Sequence, residues 1–217
     1  MKCNSAMIFA AGFGTRMGKL TSTTPKPMLP LGGRPMIDHC IDLLQEAGIE
    51  TLVANTHYFP ATLEKHLKGR GVIPLREHPI LETGGGLRAA LPHLGSGPVI
   101  TMNPDAIWVG SNPIQSLIAA WDTTMSALLV LSHNETANSD LRLEHGEIQR
   151  RGPVRFTGLQ ILRTERLDEI AETAFSLNRY WDLMMASGPL HGLVYSGLWE
   201  DIGTEEKLAA ANQRLSS

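Results

Sequence analysis

The chain of 217 residues is poor in cysteine, poor in aromatic side chains and without an excess of either charge. Its two cysteines, Cys3 and Cys40, fit neither a disulfide framework nor a CxxC metal site. Cys40 reads as core packing and Cys3 as an ordinary terminal residue. A formal net charge of -3 lacks the basic footprint with which proteins hold nucleic acid. No apolar run approaches the roughly 18 residues of a membrane span, and Met1-Lys2-Cys3-Asn4-Ser5 has no signal-peptide core. The expectation is a cytoplasmic protein with neither membrane nor nucleic-acid partner. There is no HExxH and no GxSxG, and His78, His93 and His133 are scattered, so common metalloprotease and serine-hydrolase chemistries are excluded. Repeats, low-complexity tracts and linkers are missing too.

With 42% hydrophobic residues, the length suits one well-covered core and is short for two ordinary domains. A single unit over 1–217 is expected, with a first half near 1–135 and a second near 136–217. Helical spacing marks 34–47, 61–68, 112–121, 176–186 and 204–215, and a helix is expected to start at Leu87 behind Gly84-Gly85-Gly86. Apolar runs at 7–10, 51–55, 72–76, 98–102, 126–131 and 191–195 read as strands. Their alternation predicts an α/β fold with a doubly wound, mostly parallel, Rossmann-like sheet. The short segments of 140–163, with turns at His145-Gly146 and Gly152-Pro153, predict a small antiparallel section.

Against this background, residues 7–35 concentrate glycine and base. A short apolar strand opens into a loop with Gly12, Gly14 and Gly18, and Arg16 and Lys26 lie ten positions apart. Glycines let bare N–H groups approach an anion, while a guanidinium and an ammonium add positive charge. The same composition also describes a turn with two solvated bases. No GxxxxGK[ST] run occurs, which excludes a Walker A loop. Met17 stands where a dinucleotide fingerprint needs its third glycine, and only Asp38 loosely offers the ribose-binding acid. Asp105, by contrast, follows the strand at 98–102, where open α/β sheets bind ligands.

The run Ala10-Ala11-Gly12-Phe13-Gly14-Thr15-Arg16-Met17, with Leu20-Thr21 and Pro25-Lys26-Pro27, resembles the signature AAGxGTRMxPLTxxxPKPxLP of the sugar-1-phosphate nucleotidyltransferases. These enzymes make nucleotide sugars from a nucleoside triphosphate and a sugar 1-phosphate. Asp105 is similar to the aspartate of the family's central strand-end motif, and Trp199-x-Asp201-Ile202-Gly203-Thr204 to its late WxDIGT motif. Lys19 replaces a family proline, as a solvated lysine or an extra phosphate contact.

The resemblance implies that Arg16 grips the triphosphate, that Lys26 sits on its α-phosphate and that Asp105 and Asp201 hold Mg²⁺. By residue type alone, each aspartate also reads as a turn acceptor. Ala10, Ala11, Gly12, Gly14 and Thr15 are then expected around the nucleotide, with Thr83, Gly84 and Gly85 along its base and ribose. Asn55, His57, Thr157, Gly158 and His191 are expected at the sugar phosphate, although a lone histidine is more often structural. The family's Val-Glu-Lys-Pro run, whose lysine binds the sugar phosphate, has no match here. Arg150, Arg151 or Arg155 is the substitute, or else Lys26 and the metal suffice. Within the family, the compact length and the Leu-Glu-Thr-Gly-Gly-Gly loop imply UTP and N-acetylmuramic acid 1-phosphate, in cell-wall recycling. Guanylyl transfer to mannose 1-phosphate or a heptose phosphate is the alternative, and a non-catalytic nucleotide sensor the reading of another class. Arg16, Lys26, Asp105 and Asp201 together speak against the sensor.

Overall fold

The computed structural model describes residues 3–133 and 141–216. The expected division between halves near residue 135, and Asp140 at the head of the antiparallel section, lie outside the described residues.

The first half alternates as expected. Strand β1 (Ser5–Ile8) is buried at every position, since it is interior to the sheet and apolar layers cover both faces, Ala6 and Ile8 on one and Met7 on the other. A tight hairpin, β2 (Pro30–Leu31) and β3 (Arg34–Pro35), leads into α1 (Met36–Glu46), which buries Ile37, Cys40, Ile41 and Leu44 at helical spacing. Then follow β4 (Thr51–Thr56), α2 (Pro60–Gly69), β5 (Ile73–Arg76), α3 (Glu82–Leu94) and β6 (Val99–Met102). A short strand β7 (Ala106–Val109), absent from the sequence expectations, precedes α4 (Pro113–Ala120). Asn112 caps α4 by accepting from the Ile114 amide at 3.0 Å, and its amide group donates to Leu43 O at the end of α1.

The second half contains β8 (Ala127–His133), β9 (Leu141–Glu144), β10 (Glu147–Arg150) and β11 (Val154–Leu162), then α5 (Leu177–Met185), β12 (His191–Val194), β13 (Leu198–Asp201) and α6 (Glu205–Ser216). The β9–β10 hairpin turns at His145-Gly146, both with positive φ. Gly152-Pro153 instead passes the chain to β11, which pairs with β9 and not with β10.

One sheet carries both halves in the order β5-β4-β1-β6-β11-β8-β12-β10-β9. From β5 to β6 every pairing is parallel, and the order reverses at β1, which makes a crevice beyond the C-terminal ends of β1 and β6. Strand β11 runs antiparallel to both β6 and β8, so the sheet is mixed beyond β6. The reversal follows from its approach through the β9–β10 hairpin in place of a crossover helix. It brings the N-terminal residues of β11 to the crevice end.

Two apolar clusters cover the two faces of the sheet, and a third lies under the glycine loop. The third joins Met17, Leu29 and Leu31 of residues 7–35 to Ile202, Leu208 and Ala211 near and within α6. Met17 is wholly buried there, a contribution of about 1.5–3 kcal/mol. Cys3 is also buried, with its thiol on Pro98 O at 3.0 Å, and is thus a packed residue. Among the described residues, no helix is long and apolar enough to cross a membrane.

Candidate active site

A cavity of about 520 Å³ lies at the crevice, walled by the loop after β1, the turn after β6 and the start of α3. Ala10, Ala11, Gly12, Gly14, Thr15 and Arg16 face it from the loop. The loop is pinned at its base: the Phe9 amide donates to Met102 O at 3.0 Å and the Ala10 amide to Asn55 Oδ1 at 2.7 Å. Gly14 has φ +65, and a β-carbon there would lie 2.9 Å from Lys26 Cβ. Only glycine lets the two limbs of the loop meet at the residue that carries the ammonium.

Lys26 is hydrogen-bonded to Asp105 across the crevice, and the lysine side chain is only 11% exposed. Arg16 is exposed and, among the described residues, makes no hydrogen bond or ion pair, which leaves its guanidinium open to the cavity. The site therefore offers one neutralised and one unneutralised cation to an incoming anion.

The two candidate metal ligands are joined through the backbone. Asp201 is the last residue of β13 and pairs with Ala106 of β7, while the Ile202 amide donates to Asp105 O at 2.7 Å. The sequence expectation of Asp201 in a turn is corrected by this ladder, whose strands meet across a separation that local pattern does not register. The Asp201 carboxylate accepts from Arg155 at 3.0 Å and from Lys207 at 3.1 and 3.0 Å. Burial pushes its pKa up, but the Lys207 hydrogen bond and the charges of Arg155, Lys207 and Arg16 outweigh this and hold it below the usual carboxylate range. Among the described residues, no three metal-ligating side chains converge. Asp105 lines the cavity, and Asp201, next to the lining residue Gly203, does not; this pair nevertheless fits Mg²⁺, which takes one or two carboxylates and fills its shell with phosphate oxygens and water.

The wall formed by α3 differs from expectation. The helix starts at Glu82, so the three glycines lie inside its first turns, and Glu82 itself has φ +59. The Gly84 and Gly85 amides both donate to Phe175 O. A β-carbon on Gly84 would lie 2.3 Å from the Phe175 ring, and one on Gly85 2.4 Å from Thr173 O. The close approach that these glycines permit is to residues 173–175 of the same chain, while Thr83 faces the cavity and accepts from the Leu177 amide at 2.9 Å.

Among the residues expected at the sugar phosphate, Asn55 lines the cavity, but both of its polar ends are engaged, on Ala10 N and on Glu77 Oε1. His57 bonds Glu77 O at 3.0 Å and meets Phe13 edge-on at the rim. Thr157 donates to Val130 O, and Gly158 (φ +86) makes room for Asn103, since a β-carbon would lie 2.6 Å from its amide nitrogen. His191 is level with Leu128, in the row of Ile161 and Ile100, and so stands toward the sheet end away from the crevice. Asp38 turns to His66 and Arg70 on the far side of α1 and does not reach a ribose site. Of the three arginines, only Arg155 reaches this site; Arg150 is held by Asp182 and Asn178. Glu77, Asn103, Ser176 and Lys207 are contributors that sequence reasoning missed. Asn103, within Asn103-Pro104-Asp105, carried a local signal; the others are assembled by tertiary contact.

Residues 6–174 match the MobA-like NTP transferase domain family. The chain is 34% identical to the N-acetylmuramate alpha-1-phosphate uridylyltransferase of Caulobacter vibrioides, over 97% of this chain and 96% of that protein. It is 28% identical to a probable mannose-1-phosphate guanylyltransferase of Oryza sativa subsp. japonica, over 91% of this chain but 61% of that protein. A solved structure of UDP-glucose pyrophosphorylase complexed with UDP-glucose shares the fold, with a TM-score of 0.85 at 17% identity over 100% of this chain and 99% of the other. With most of its length matched in this way, the chain belongs to the sugar-1-phosphate nucleotidyltransferases, within the MobA-like NTP transferase domain family.

Proposed function

We propose that this enzyme transfers a uridylyl group from UTP to N-acetylmuramic acid 1-phosphate, giving UDP-N-acetylmuramic acid and pyrophosphate, in cytoplasmic cell-wall recycling. The observation that carries the reaction class is the Lys26–Asp105 pair at the switch-point crevice, with the unpaired Arg16 beside it. The choice of substrate is supported by the relative of nearly equal extent, the uridylyltransferase, over the guanylyltransferase of which this chain spans 61%.

In the reaction, an oxygen of the sugar phosphate attacks the α-phosphorus of UTP in line. The new P–O bond forms as the bond to the β-phosphate bridge breaks, and pyrophosphate leaves with the electron pair. Arg16 binds the β- and γ-phosphates bidentately, the fork geometry of guanidinium suiting two oxygens at once. Lys26 lies against the α-phosphate, where negative charge builds up in the transition state, and a fixed ammonium in a partly desolvated crevice is most effective. Asp105 orients Lys26 before the substrate arrives. Mg²⁺ held by Asp105 and Asp201 supplies charge neutralisation and alignment of the phosphates when bound.

The test is a matrix of UTP, GTP, CTP, ATP and dTTP against N-acetylmuramic acid, N-acetylglucosamine, mannose and glucose 1-phosphates, read by pyrophosphate release. UTP with N-acetylmuramic acid 1-phosphate is expected to have the highest kcat/KM. Faster release with GTP and mannose 1-phosphate overturns the substrate assignment, and no release in any cell overturns the reaction class.

A further inference from the structure

Resting on that reading, we infer that Arg155 is the residue that receives the acceptor's phosphate, and that in the free protein it is parked on Asp201. Arg155 projects from the crevice end of β11 and places Nη2 3.0 Å from Asp201 Oδ1. Its guanidinium lies over the buried Trp199 ring, 5.4 Å from the centroid, which fixes its plane and leaves the edge N–H groups accessible. Among the described residues, its other N–H groups have no partner. A planar donor set with one N–H satisfied and the rest open is what a phosphate oxygen pair requires.

Asp201 does not need Arg155 to stay neutralised. Lys207 reaches both of its carboxylate oxygens, and a β-carbon on Gly203 would lie 3.0 Å from Asp201 Oδ2 and 3.1 Å from Arg16 Nη1, so Arg16 is also close. Two cations thus bond this carboxylate, and Arg16 stands near it without bonding it. Departure of Arg155 strands no buried charge, whereas removal of a sole partner would. The surplus of positive charge calls for an anion, and Arg155 arrives from β11 while Arg16 arrives from the loop after β1 that faces the triphosphate. Of the other two arginines near the start of β11, Arg150 is committed elsewhere, bonded to Asp182 and Asn178 and stacked on Trp181. Arg151 lies in the turn at φ +65 and is exposed.

Two consequences follow for Asp201. A divalent cation arriving there competes with Arg155, and its arrival frees the guanidinium for the sugar phosphate. Loss of Arg155 is accordingly expected to weaken acceptor binding while strengthening cation binding, and a merely structural arginine would not move these two in opposite directions.

The experiment compares wild type, Arg155→Ala, Arg155→Lys and the control Arg150→Ala. Initial rates are measured with N-acetylmuramic acid 1-phosphate, or with mannose 1-phosphate if the matrix shows it to be faster. Mn²⁺ binding to each protein without substrates is measured by calorimetry. Arg155→Ala is expected to raise the acceptor KM at least tenfold with the UTP KM within twofold, and to tighten Mn²⁺ binding several-fold; Arg155→Lys recovers part of the acceptor KM, and Arg150→Ala matches wild type. An unchanged acceptor KM, an equal rise in both KM values, or unchanged or weaker Mn²⁺ binding in Arg155→Ala overturns the inference while wild-type turnover preserves the reaction. Absence of wild-type turnover with every acceptor overturns the reaction itself, and the inference with it.

Discussion

A β-carbon on Gly14 would stand 2.9 Å from Lys26 Cβ and 3.0 Å from Thr21 Cγ2, so the glycine loop and the lysine turn meet at a position that leaves no room for a side chain. Gly14→Ala therefore meets both a left-handed φ and a clash with Cβ of the lysine side chain. The expected result is a loss of about 1–2 kcal/mol of stability and a fall in pyrophosphate release of about ten- to hundredfold, as Lys26 is displaced. Gly12 has open space around it, and Gly12→Ala is expected to stay within about 0.5 kcal/mol of wild type. Urea denaturation of the two variants, side by side, checks the contrast.

Lys26 and Asp105 act as a unit, because the carboxylate holds the ammonium where charge develops. Asp105→Asn and Lys26→Met are each expected to lower kcat by about 10²–10³-fold, with melting temperatures within a few degrees of wild type. The double variant should be no slower than the worse single one, since effects within a unit do not add. Multiplying losses in the double variant would show that the two residues act independently.

The wall beside Thr83 depends on glycine for packing. In Gly85→Ala the new methyl group faces Thr173 O, 2.4 Å away, and the segment bearing Ser176 must move. Overpacking of this kind costs about 1–3 kcal/mol. The UTP KM is expected to rise with it while the sugar-phosphate KM stays constant; the opposite pattern would place this wall on the acceptor side.

Asp201 sets an acid limb. Its folded pKa is depressed below the unfolded carboxylate value, despite burial, by Lys207, Arg155 and Arg16. It therefore contributes stability that is fully present above the unfolded value of about 3.9 and is lost as pH falls through the folded value. Urea midpoints measured from pH 7 to pH 3 are expected to fall below about pH 4 in wild type, and to fall less steeply in Asp201→Asn. Equal slopes would remove Asp201 from the acid response.

Chelation tests the carboxylate pair directly. EDTA in excess over added Mg²⁺ is expected to abolish pyrophosphate release, with recovery when Mg²⁺ is restored. Full activity in EDTA would assign Asp105 and Asp201 to ion pairing alone.

Much of the first half was legible locally because its signals are local. The apolar strand before the loop, the helical stripe of Ile37, Cys40, Ile41 and Leu44, and the position of Asp105 just after β6 each lie within a few residues of their cause. The β7–β13 ladder was not legible, because four-residue strands that pair only with each other carry little pattern, and their partners lie far apart in the chain. The family resemblance places Gly84 and Gly85 of α3 along the base and ribose of a nucleotide, and only the positions of Phe175 and Thr173 show that these two make room for the chain itself.

The sequence alone determined the chemistry on offer: a glycine loop with one guanidinium and one ammonium, two aspartates, and an alternation that builds an α/β sheet. Those follow from residue type and spacing, which are properties of neighbours in the chain. The tertiary structure decided which charges meet. Lys26 reaches Asp105 over a separation of 79 residues, and Arg155 reaches Asp201 over 46, because β11 runs antiparallel to β6 and because β13 pairs with β7. Charge pairing depends on distances of a few ångströms in space, and strand direction and register, set by packing of the whole sheet, are what impose them.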